Sequence, residues 1–364
     1  GKAVVVELSP AELEASIGAV KPEGIFLTMT SENEAEERAI LTVTCSAAFL
    51  FFNSFGSIGV ALPAMQKQFG NSLSEIQWIT LMGVVTISSL SFCFGRAGGR
   101  FGQRRLYKIG VACYAAGAGF GAVSSSFMQL LGSRLVMAVG LAMALPMSTA
   151  ILAASFAPER RGQALGLFAS AVAVGRMTGP AVGGFLLQFG GWTWIFWMNF
   201  IVGSSVTLAV LKIFRGPGEM QREVFDTWGA LALLIGYPAL LIALTFGSAR
   251  GWRSAPVIAA FVLAGLGLAS FVYIELRAEK PLIDLTLFKQ RSLVAALLTI
   301  ACINLLSYPI ALAAPLYLQN VLGASAMGAG FLLAVLPLST ALASPVSGRL
   351  ADRFDASSVA AVGI

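Results

Sequence analysis

Long apolar runs alternate with short polar segments along nearly the whole chain. A helix needs about 20 predominantly apolar residues to cross a hydrocarbon core about 30 Å thick. Ten runs of that kind stand out, at about 40 to 62, 76 to 94, 106 to 123, 127 to 153, 163 to 188, 192 to 213, 227 to 247, 255 to 275, 292 to 314 and 326 to 347. The last stretch, AASSVAAVGI, has the character of an eleventh but is too short to cross. The pattern predicts an all-α polytopic membrane protein with about ten spans, and a sequence that is a piece of a longer one.

The polar segments fix an orientation. On one side lie Arg96, Arg100, Arg104, Arg105 and Lys108, then Arg160 and Arg161, then Lys212, Arg215 and Arg222, then Arg277, Lys280, Lys289 and Arg291, and finally Arg349 and Arg353. The other side has only Lys67, Arg250 and Arg253. Lys and Arg accumulate in cytoplasmic loops, so the N-terminus and the first basic loop are expected to be cytoplasmic. That loop, GRAGGRFGQRR, packs Gly95, Arg96, Gly98, Gly99, Arg100, Gly102, Arg104 and Arg105 into eleven residues and reads as a tight charged turn between two spans. A related string, SGRLADRFD, returns with Gly348, Asp352 and Arg353, which points to two halves built on one plan.

Composition agrees with the pattern: 57% of residues are hydrophobic, 12% are charged and the mean hydropathy is +0.81. The formal charge of +6 would fit a nucleic-acid binder, but the excess sits in short loops between spans, which excludes that partner. Residues 1–39 hold eight glutamates and lack the basic-then-apolar start of a signal peptide; they read as a cytoplasmic tail, partly helical or disordered. The four cysteines, Cys45, Cys93, Cys113 and Cys302, have no paired spacing, and there is no histidine, so no metal or cofactor is expected. A GxxxxGK[ST] loop is missing. GAGFG at Gly117–Gly121 lies inside a span with no strand before it and reads as helix packing. No nucleophile has a base beside it. The chain is not expected to be an enzyme.

Polar residues within the spans carry the remaining information. An ionisable side chain in hydrocarbon costs at least a few kcal/mol and is a functional candidate by default. Two arginines qualify, and no Asp or Glu lies well inside any span. Arg176 sits about 20 Å into its helix at 1.5 Å per residue. It stands in a motif with Gly175, Gly179, Pro180, Gly183 and Gly184, where glycines four apart let another helix approach closely. Pro180 leaves the carbonyl of Arg176 without its usual donor, and the spacing turns the Arg176 side chain toward the close-packed face. Arg134 lies about 10 Å from the outer end of its span; it either snorkels to the interface or lines a polar cavity. Asn53, Ser54 and Asn304 either bond across helices or face a ligand.

Several of these residues carry a resemblance to the major facilitator superfamily, and within it to the fourteen-span drug:proton antiporters. GRAGGRFGQRR resembles the family's turn between helices two and three, and Gly175 to Gly184 is similar to the antiporter motif of helix five. Arg134 matches the basic residue of helix four. VALP at Val60–Pro63, Gln77 with Trp78, and PERRGQALGL from Pro158 resemble the flanking loops. The resemblance implies two helical bundles: a six-helix unit over residues 40–213, a linker with two extra spans over 214–291, and the start of a second bundle over 292–364. It implies a secondary active transporter in the cell inner (plasma) membrane that exports amphipathic small molecules by alternating access, coupled to protons and compatible with a monomer. The turns would then act as gates.

The sequence departs from the family at the residues that handle protons. Gly99 and Ser54 stand where the family carries acids, Met137 replaces a glutamine, and Arg176 replaces an apolar residue. Two intramembrane cations with no carboxylate favour an anionic or zwitterionic substrate by Coulomb sign. They are also compatible with a facilitator-fold sensor or scaffold that no longer pumps.

Overall fold

The computed structural model describes residues 22–214, 226–278 and 285–320, with isolated positions between 322 and 350. Helices joined by short turns make up those residues: α1 Pro22–Phe69, the short α2 Leu73–Ile76, α3 Trp78–Phe101, α4 Gln103–Ala122, α5 Phe127–Ser155, α6 Pro158–Gly190, α7 Thr193–Ile213, α8 Thr227–Arg250, α9 Ala255–Glu275 and α10 Arg291–Asn320, the last preceded by a 3-10 turn at Leu285–Lys289. Among the described residues seven helices are long and apolar enough to cross a membrane: α1 from Glu34, α3, and α5 to α9. Helix α4 has the length but opens on Gln103, Arg104, Arg105 and Lys108 and is otherwise rich in Gly and Ala, which lowers its hydropathy. The ninth expected span falls in α10; the tenth, 326–347, lies outside the described residues except for scattered positions.

Small residues set the packing. Interhelical contact in lipid is driven by close backbone approach, and each main crossing has its glycine. At α4 and α5 a side chain on Gly110 would meet the Gly140 carbonyl at 2.7 Å; at α8 and α9 Gly236 and Gly267 face each other with the same tolerance. Helix α7 docks on α4, where Gly203 rests on Ala115 and the Tyr114 hydroxyl donates to Asn199 Oδ1 at 2.7 Å. Helix α8 of the α8–α9 hairpin leans on the N-terminal end of α3, with Trp78 and Phe246 rings 5.2 Å apart. Between α1 and α2, Glu75 accepts from the backbone N–H and the hydroxyl of Ser72, both at 2.9 Å, and these bonds, with a further one from Asn71, hold its carboxyl below the usual range.

One sequence expectation changes. The stretch from Gly95 to Arg105 is not a loop: α3 continues to Phe101, α4 starts at Gln103, and the reversal is made by Gly102 alone at φ +89°. That conformation belongs to glycine, and the residues of the apparent turn up to Phe101 are helix because their backbone bonds are better satisfied within it. The described part of the acidic tail, from Pro22, is continuous with the first span. Its carboxylates reach the basic ends of other helices, Glu36 to Arg104 at 3.3 Å and Glu37 to Arg160 at 3.2 Å.

Candidate functional site

Helix α1 is the element that positions the site, because residues one apart on a helix point about 100° apart. Asn53 and Ser57 face α6. There the glycines spaced by four let the two backbones touch: a side chain on Gly175 would meet the Phe49 carbonyl, on Gly179 the Asn53 carbonyl, and on Gly183 the Ser57 Cα, each at 2.5 Å. In this seam Asn53 Nδ2 donates to Thr178 Oγ1 at 2.9 Å, and Ser57 Oγ donates to the Gly179 carbonyl at 2.8 Å. Pro180 sits against Gly56, and α6 runs unbroken through it. Asn53 therefore acts across helices.

Ser54 and Phe55 turn the other way, toward α3, α4 and α5. They line a small cavity with Phe51, Gly83, Ile87, Tyr114, Arg134, Met137, Ala138 and Leu141. The space open to the centre of a water-sized sphere is about 10 Å³, which is room for about one water molecule. Arg134 is 4% exposed and does not snorkel. Its Nε donates to the Ile79 carbonyl at 3.1 Å, one Nη faces the Met137 sulfur at 3.7 Å, and the guanidinium carbon stands 5.7 Å from the centroid of Phe55. The other Nη lies beneath Gly83, where any side chain would begin 3.3 Å away. Among the described residues no carboxylate pairs with Arg134.

Ser54 is equally isolated. It is 1% exposed, and its hydroxyl lies beside the Tyr114 phenol oxygen, an acceptor it reaches only weakly, with no short hydrogen bond completed. The Tyr114 proton is already given to Asn199. Other serines in the spans behave differently: Ser57, Ser88, Ser89, Ser91, Ser148, Ser170 and Ser205 each donate to the carbonyl four residues back. The cavity thus holds a lone cation and a free hydroxyl between apolar walls. Such a site attracts negative charge, and its arginine stays protonated.

Arg176 does not turn into the glycine face. It is exposed among the described residues, with its guanidinium 4.7 Å from the centroid of Phe52; one step along the helix from Gly175 carries it off the seam. Gly184 likewise faces open space. The basic stretch divides: Arg104 pairs with Glu36 and lies over Phe214, Arg100 lies over Phe101, Arg105 is exposed, and Arg96 is half-buried. The side chain of Asn304, and Gly348, Asp352 and Arg353, lie outside the described residues. Sequence reasoning missed Tyr114, Asn199 and Thr178. Asn199 was the one with a signal, an isolated amide in the apolar run from 192 to 213. No group of three His, Cys, Asp or Glu suited to a metal occurs among the described residues.

A family model for the Major Facilitator Superfamily matches residues 44–364. The MFS-type transporter YhcA of Bacillus subtilis, itself uncharacterized, is 28% identical over 93% of this chain and 63% of its own length. The riboflavin transporter RibZ of Clostridioides difficile is 27% identical over 88% and 69%, and the multidrug resistance protein Stp of Mycobacterium tuberculosis 29% over 87% and 59%. The chain spans about 60 to 70% of the length of these curated relatives. Among solved structures, the proton:xylose symporter XylE aligns over 88% of this chain and 70% of its own with a TM-score of 0.61 and 14% identity, a likeness of fold alone. The chain is a multi-pass membrane protein of the Major Facilitator Superfamily.

Proposed function

We propose that the chain belongs to a secondary active transporter of the plasma membrane, of the fourteen-span drug-exporting branch, that moves amphipathic small molecules outward by alternating access. The N-terminus and the α3–α4 reversal face the cytoplasm in this reading, since that side holds sixteen of the loop cations, from Arg96 to Arg353, against three, Lys67, Arg250 and Arg253, on the other. Support comes from the superfamily match and from relatives named as multidrug resistance proteins. The observation that carries the reading is Arg134, a cation buried within the bundle beside a small cavity. Burial of such a residue inside a membrane bundle is kept for pathways and ligands.

The same residue favours a particular cargo. A site with a cation and no carboxylate prefers an anionic or zwitterionic substrate, and the exposed Arg176 stacked on Phe52 adds a second cation with an aromatic floor. Proton antiport, which the family resemblance implies, would then rest on a carboxylate elsewhere in the protein.

Everted vesicles containing the full protein test both levels. Energised vesicles should accumulate a lipophilic anionic dye in preference to a cationic one of similar size, and Arg134→Gln should lower anion uptake at least about tenfold, the equivalent of about 1.4 kcal/mol. Preference for the cation would sink the anionic reading. No energised uptake of either dye, with Arg176→Ala also silent, would favour a sensor or scaffold instead.

A further inference from the structure

We infer that the Arg134 cavity binds a small monovalent anion, with chloride as the candidate, as a resident counter-ion to the guanidinium. The inference concerns the resting protein and holds whether or not transport of anionic cargo is observed.

An isolated ion taken out of water into an apolar interior is strongly disfavoured unless another charge answers it. A buried aspartate or glutamate escapes by binding a proton, but arginine cannot escape by losing one. Arg134 is 4% exposed, and its bonds are to one carbonyl and one thioether. Neither neutralises it. The missing negative charge must come from outside the described chain.

The cavity is built to receive it. Its volume of about 10 Å³ suits one water-sized occupant. Gly83 leaves the face of one Nη uncovered, and Ser54, whose hydroxyl completes no short hydrogen bond, lines the same space. The Tyr114 proton is committed to Asn199, so the donors left to face the cavity are the guanidinium and the Ser54 hydroxyl, the latter beside the Tyr114 oxygen. The guanidinium brings a positive charge and donors with no acceptor of its own, and the charge favours an anion over a neutral water there. Phe55 and Met137 close the walls and lower the local dielectric, which strengthens the attraction. Sulfate or phosphate would be far too large and would bring more than one negative charge; a halide is compact and monovalent, somewhat larger than water, and the flexible Met137 side chain in the wall can yield to admit it.

The test is thermal unfolding of the purified full protein in detergent, at constant ionic strength, with chloride replacing gluconate. Wild type should show a Tm that rises with the logarithm of chloride concentration above a half-saturation point, as expected for a ligand bound only by the folded state. Bromide should act like chloride. Ser54→Asp places a carboxylate in the cavity, so this variant should melt in gluconate as wild type does in chloride and should lose the chloride response. Arg134→Gln should lose the response too; if that variant does not fold, Ser54→Asp decides alone. A wild-type Tm indifferent to chloride, or a full chloride shift retained by Ser54→Asp, overturns the inference. So does a shift produced by acetate and not by chloride, which would assign the cavity to a ligand's carboxylate.

Discussion

Asn53 and Ser54 are neighbours on α1 and both are buried, yet they meet opposite surroundings. Asn53 enters a seam with α6 in which backbones touch at Gly175, Gly179 and Gly183 and the side-chain polar groups of Asn53 and Ser57 have partners. Ser54 enters a cavity shared with α3, α4 and α5 in which a hydroxyl is unpaired and a guanidinium lacks a counter-ion. A satisfied seam rigidifies, whereas a half-satisfied one is costly on its own. The difference separates the part of α1 that holds the bundle together from the part that is unfinished without something else bound.

The seam should break first. Gly183→Val would drive Cβ into the Ser57 backbone at 2.5 Å, so α6 and α1 must separate, and loss of about 3 kcal/mol is expected. Gly184→Ala, one residue on and facing open space, should be neutral or slightly stabilising, because alanine is the better helix former by up to about 1 kcal/mol. Thermal melts of the two variants give the contrast directly. Equal destabilisation would mean that the seam is not the contact that holds α1 to α6.

In the cavity the sign should reverse. Arg134→Met keeps the bulk and removes the uncompensated charge, and replacing buried ionic groups with apolar ones of similar volume is neutral or stabilising by about 1 to 4 kcal/mol. In gluconate the variant should melt no lower than wild type while anion uptake falls. A drop of more than about 2 kcal/mol, beyond the usual worth of a charged hydrogen bond, would instead show that the bonds from Arg134 to the Ile79 carbonyl and Met137 are structural, and the contrast between the two faces of α1 would collapse to one of degree.

The sequence is informative where the physics is local. Span positions follow from runs of apolar residues, and the approach of α6 to α1 follows from glycines every four residues, because each depends on one helix at a time. Two features needed tertiary context. Gly95 to Phe101 contains three glycines and two arginines, which on composition alone argue for a loop; the helix persists because α3 and α5 pack there, Gly98 lying on Met147. The Arg134 cavity is assembled from four helices, and no spacing within one helix could bring Ser54, Gly83, Tyr114 and Arg134 together. Arg176 shows the limit of a helical-wheel argument: the wheel placed it near the glycine face, but a contact this close admits only glycine and leaves the neighbouring position outside.

The smallest expected effect sharpens the comparison most. Asn53→Ala removes the bond to Thr178, whose hydroxyl also donates to the Val174 carbonyl at 2.9 Å, so its partner is not left orphaned. Interhelical hydrogen bonds of this kind average about 0.6 kcal/mol, and the Tm should fall only slightly, with no change in chloride response. Ser54→Ala should melt no lower than wild type, since a buried hydroxyl with no short hydrogen bond is costly to keep, but it should weaken the chloride response because a donor lining the cavity is gone. Two alanines on adjacent residues, both mild in melting and different in anion dependence, would show that α1 splits its polar residues between structure and ligand. If both variants leave the chloride response intact, Ser54 is not a donor to the cavity and the guanidinium alone would have to hold the ion.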